Sequence, residues 1–255
     1  MEDAHFHSYW EEWKTKLANI ASKGSAQLDF PSLEGPSEQP DGTIVYKPDG
    51  FLILHNVRYK SSSTRSPRLT IFINGSFRFS RAGHELSMVS AAANISIFSL
   101  TALEGEAVSV ALYDALHFDF EKAEGQTPYH PMFHVQRGGN NTLTDDVVLG
   151  AIRKKRGRLA VLSMGESKVA GMHHLRIPVP QLDYFSVIVM VVADFFCNPK
   201  HERSKNMEVL FKDILSHLCD NRNIAKEGVA SRTLFGRNKD RGWSSSADWY
   251  AESVA

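Results

Sequence analysis

The sequence predicts an α+β fold, with an antiparallel β-meander of about six strands in its first half. An N-terminal helix and two or three C-terminal helices cover that meander. Three observations lead to this class. Phe6, Trp10, Trp13, Leu17 and Ile20 recur at helical spacing. From about residue 43 the apolar residues alternate with period two, as along a pleated strand. Beyond Gly138-Gly139 the period returns to that of a helix.

Taken in order, residues 5–22 form an amphipathic helix, followed by a loop rich in Gly, Pro and Ser. "TIVYKPDGFLILHNVRYK" places Pro48-Asp49-Gly50 between two strand-like runs, which reads as a hairpin. "RLTIFINGSFRFSR" sets Leu69, Ile71, Ile73, Phe77 and Phe79 on one face. "NISIFSL", "AVSVALYDALHFDFE" and "YHPMFHVQ" complete the series with short links. Thr144 or Asp145 is positioned to cap a helix in "TDDVVLGAIRKK". "YFSVIVMVVADFFC" lies between Pro180 and Pro199, and its length favours a buried helix over a strand. In "SKNMEVLFKDILSHLCDN", Met207, Leu210, Phe211, Ile214, Leu215 and Leu218 form a single stripe. Residues 1–227 therefore read as one α+β domain, β-rich over 43–137 and α-rich over 143–227, whose helices cover the apolar face of the sheet. Residues 228–255 read as a partly ordered aromatic and basic tail.

Composition narrows the function classes. Across 255 residues, 29 basic and 29 acidic side chains balance, which argues against a surface attractive to nucleic acid throughout. The acidic start is unlike a secretory signal, and the longest apolar run is shorter than the ~20 residues of a membrane span. Cys197 and Cys219 lack ligand or disulfide spacing, so a cytoplasmic setting without membrane contact is expected. Asn74, Asn94 and Asn140 fit the glycosylation pattern by chance on this reading.

One polar constellation stands out. Along residues 107–121, Val108, Val110, Leu112, Leu116, Phe118 and Phe120 share one face; Tyr113, His117, Asp119 and Glu121 share the other. In the next strand His130, Met132, His134 and Gln136 form the polar side. If the apolar faces meet one core, parity is set, and Asp119 meets His130, or else Glu121 meets His130 and His117 meets His134. Imidazole and carboxylate are the ligand types of zinc, manganese and iron sites, and they also form acid–base couples. His117, Asp119, His130 and His134 are accordingly the candidate ligands of a divalent metal, with His130, His134 and Asp119 as candidate catalytic groups. The opposing interpretation is a polar sheet face with cross-strand pairs. Pro131 marks its segment as an edge strand or as irregular at its start; an edge is where two copies of the chain can pair.

Arg153, Lys154, Lys155, Arg156 and Arg158 form a basic cluster that could hold phosphates, although a solvated helix C-terminus explains it better. In the tail, Trp243, Trp249 and Tyr250 are residue types that anchor partners. The expectation is an accessory or interaction protein that works with a protein partner or a second copy. A bacterial defence or toxin–antitoxin type complex handling nucleic acid through residues 153–158 would be one such setting. The alternative is a metal-dependent hydrolase or nuclease using the histidine face.

Overall fold

The computed structural model describes residues 3–58, 68–82, 85–104, 107–121, 133–138, 143–156, 161–167, 177–178, 184–197 and 204–219. Four helices and ten strands follow in chain order. They are α1 (Asp3–Lys23), β1 (Gln27–Asp29), β2 (Ser37–Glu38), β3 (Ile44–Tyr46), β4 (Leu52–Arg58), β5 (Arg68–Ala82), β6 (Glu85–Ala102), β7 (Ala107–Glu121) and β8 (Phe133–Arg137). After them come α2 (Asp145–Arg156), β9 (Val161–Met164), β10 (Ile177–Pro178), α3 (Tyr184–Phe195) and α4 (Ser204–Cys219). The class is α+β, and β4 to β8 form the expected antiparallel meander in one ten-stranded sheet.

Three long strands, β5, β6 and β7 of 15, 18 and 15 residues, make the middle of the sheet. Shorter strands flank their two ends separately. β3 and β4 both pair with β5, and β8 and β9 both pair with β7. The expected hairpin at Pro48-Asp49-Gly50 is therefore corrected: β3 and β4 lie end to end along β5 and do not pair with each other. Turn residues serve here to interrupt a single strand position. Gly50 takes φ +99°, and Asp49 N–H donates to Ser32 O at 2.8 Å.

One face carries α1, α3 and α4. Phe6, Trp10, Trp13, Leu17 and Ile20 are all buried there, against Leu69, Ile71, Ile73, Phe77 and Phe79 of β5. Trp13 stacks on Phe185 at 4.8 Å and Trp10 on Tyr184 at 5.3 Å, which joins α1 to α3. Flat aromatic contacts of this kind add to the area that each ring removes from water. α3 buries eight of its twelve residues, in keeping with the buried-helix reading.

The helices were expected to cover a single face, and this too is corrected. α2 lies on the opposite face, where Val148 and Ile152 pack over Ile53, Phe72, Phe98, Leu100, Val108 and Val110. A β-bulge makes this possible. Ile97 pairs with Asp114 and Phe98 with Leu112, leaving Tyr113 as an extra residue on β7. The bulge reverses side-chain parity, so Leu116 and Phe118 face the α1 side while Val108, Val110 and Leu112 face α2. The single apolar face expected along this strand is thus divided between two cores.

Thr144 is the N-cap of α2: its Oγ1 accepts from Val147 N–H at 3.4 Å, and Asp145 and Asp146 occupy the first turn. The region expected to be rich in helix returns to the sheet twice. β9 runs parallel to β7, and β10 pairs antiparallel with β8. No helix among the described residues is long and apolar enough to cross a membrane.

Candidate functional site

β6, β7 and β8 bring the site together. Across them, Asn94 pairs with His117 and His117 with Gln136; one step along, Ala92 pairs with Asp119 and Asp119 with His134. Alternation from Phe98 and Phe72 places Asn94 and Asn74 on the α2-bearing face, beyond the part that α2 covers. The register keeps the expected parity but lies two residues beyond the nearer of the expected pairings, so Asp119 meets His134.

The side chains form a chain of contacts across three strands. His117 Nε2 lies 2.6 Å from Asp119 Oδ2, and His117 Nδ1 lies 2.5 Å from Asn94 Oδ1. His134 Nε2 approaches the same Asp119 oxygen at 3.6 Å. The Asn94 side chain presents either its carbonyl oxygen or its NH₂ group to His117 Nδ1, according to which way the amide is turned. His134 is 4% exposed and Asp119 is 33% exposed, so the carboxylate is the member that solvent or a ligand reaches. Chemically this is a carboxylate shared by two imidazoles, with one ring held by an amide.

Of the predicted residues, the fold brings together His117, Asp119 and His134, while His130 lies outside the described residues. Among the described residues no three His, Cys, Asp or Glu side chains are arranged to hold a metal ion. Both imidazoles approach the same Asp119 oxygen, His117 at 2.6 Å and His134 at 3.6 Å. The expectation that this strand is an edge is corrected. β10 pairs outside β8, with Pro178 opposite His134, so a proline sits on the outer strand as ladder chemistry requires. β10 thus occupies the outer side of β8 at His134 and Val135.

Asn94 was read only as a chance glycosylation pattern, although it occupies a polar position of the alternating "NISIF". A second cluster was not foreseen at all. Asp29 Oδ2 lies 3.2 Å from His55 Nε2, and Lys155 Nζ lies 2.6 Å from Asp29 Oδ1. Burial pushes the Asp29 carboxyl up, but hydrogen bonds with Lys155 and His55 outweigh it and hold the group below its ordinary value. Burial pushes the His55 imidazole down, against the pull of Asp29. His55 arrives here through a bulge between Leu54 and Val57, where Asn56 takes φ +62°.

The basic cluster is divided by this geometry. Lys155 is engaged with Asp29, whereas Arg153 and Lys154 are exposed. Arg156 ends α2, and Arg158 lies outside the described residues, as do Trp243, Trp249 and Tyr250. Comparison of the chain with protein-family models, curated proteins and solved structures finds no match.

Proposed function

We propose that this is an interaction protein that receives a partner on the half of the sheet face beyond α2. The observation behind this reading is the contrast within one face. α2 packs over an apolar half, while the other half carries Asn74, Ser76, Asn94, His117, Asp119 and Gln136, all partly exposed. Of these, Asn94, His117 and Asp119 are joined to one another, and all six project from strands, which lowers the ordering cost of binding. Amides, hydroxyl and carboxylate suit a polar partner surface. Arg153 and Lys154, at the exposed end of α2, are open to phosphate groups.

The test is native affinity purification of the wild type and of Asn74→Arg and Ser76→Arg variants, with folding checked by circular dichroism. A partner retained by the wild type and lost from the folded variants supports the reading. Identical co-purification by all three overturns it.

A second reading rests on Asp119 lying between His117 and His134. In that reading the protein is a hydrolase or nuclease in which His117 and Asp119 form the acid–base couple. A divalent ion enters it through a ligand set that includes His130. Elemental analysis of the wild type beside His130→Ala/His134→Ala decides: stoichiometric zinc, manganese or iron lost from the variant favours the enzyme, and none in either removes the metal.

A further inference from the structure

α2 is fastened to the sheet more lightly than α3. Of its described side chains only Val148 and Ile152 are fully buried, one i, i+4 pair, against eight buried residues in α3. Beneath it lies a second apolar cluster that includes Ile53, Phe72, Phe98 and Leu100. Its C-terminal turn is tied down by charge. Lys155 reaches Asp29 on β1, and the other oxygen of Asp29 meets His55 on β4. Among the described residues this is the ion pair that links α2 to the sheet.

His55 is 4% exposed, and the charged groups facing it are Asp29 from β1 and Lys155 from α2. On the β5 side of the bulge that holds His55, Leu54 pairs with Ile71 and Val57 with Leu69, which carry no charge. At neutral pH the Asp29 carboxylate accepts from both Lys155 and a neutral His55. A proton added to His55 brings a second cation beside Lys155 in a site withdrawn from water. Lifting α2 separates that imidazole from the Lys155 cation, so a proton binds the lifted state more tightly than the closed one.

We propose that α2 is an acid-released flap: Lys155, Asp29 and His55 latch it over the second apolar cluster, and protonation of His55 releases it. The device is independent of the partner reading, because its latch shares no residue with the polar half of the face. Hydrogen exchange followed by mass spectrometry tests it, with rates corrected for the intrinsic effect of pH and interior β6 amides as reference. Between about pH 7.5 and pH 5, α2 amides of the wild type are expected to lose about tenfold of their protection relative to β6. Lys155→Met and Asp29→Asn release α2 at both pH values, and His55→Gln removes the pH dependence. Asp29→Asn, at a partly exposed position, keeps the test open if the His55 variant fails to fold. Equal changes in α2 and β6, or a pH dependence that survives in His55→Gln, overturn the proposal.

Discussion

Asp119 stands directly across the β7–β8 ladder from His134, with its Oδ2 3.6 Å from His134 Nε2 and 2.6 Å from His117 Nε2. One partly exposed carboxylate therefore serves two imidazoles, one of them buried. Removing it leaves His134 with less compensation for its burial, at a cost of about 1–3 kcal/mol. Asp119→Ala is expected to destabilise by that amount in urea unfolding, and Asp119→Asn, which retains an acceptor oxygen, by less than half as much. No loss in either variant would show that the contact contributes nothing.

How much of this was legible in the sequence follows from how local each signal is. α1, β5 and the cap of α2 depend on spacing within a few residues, so Trp10 and Trp13, Ile71 and Ile73, and Thr144 identify them. The face reversal at Tyr113 has no local signature, because a bulge is a mismatch in residue count between two strands. Parity along β7 and β8 was readable from alternation and brought His117, Asp119 and His134 to one side. The two-residue offset was not readable, since it depends on how the intervening chain closes. His55 and Lys155 are 100 positions apart, and they meet only because α2 returns to the face that the bulges expose.

Gly75 sits where β5 passes beneath Tyr184. A Cβ at this position would stand 2.9 Å from the Tyr184 ring and closer still to the Ala92 carbonyl oxygen. Backbone on one side leaves little room to yield, so Gly75→Ala is expected to cost about 1–3 kcal/mol. Gly35→Ala is the control: nothing lies within 4 Å of its Cβ, and the change should be neutral or slightly stabilising. Urea midpoints of the two variants settle the comparison, and matched values would contradict the packing argument.

Stability should fall with acid through His55 and Asp29 in succession. Burial holds the folded His55 below its ordinary value of 6.5, so the unfolded chain binds the proton more readily. The loss therefore begins as pH drops through 6.5 and continues down to the depressed folded value. Asp29 is also held below its ordinary value of 3.8, so its stabilisation is present above 3.8 and is lost as pH falls below it. Unfolding midpoints measured from about pH 8 to pH 5 should slope downward in the wild type and less steeply in His55→Gln. Parallel slopes would remove His55 as the cause.

Tyr113 separates the role of a side chain from the role of a residue count. Its side chain is 36% exposed, so Tyr113→Ala should change stability by no more than about 0.5 kcal/mol. Deleting Tyr113 is a different perturbation. Without the extra residue, either Val108, Val110 and Leu112 or Leu116 and Phe118 must turn to the opposite face, and one of the two cores loses its β7 contribution. A loss of several fully buried apolar side chains, each worth about 1.5–3 kcal/mol, exceeds the stability of an ordinary domain. The deletion variant should therefore show no cooperative unfolding by circular dichroism, whereas Tyr113→Ala unfolds as the wild type does. A cooperative transition in the deletion variant would mean that the two cores do not depend on this bulge.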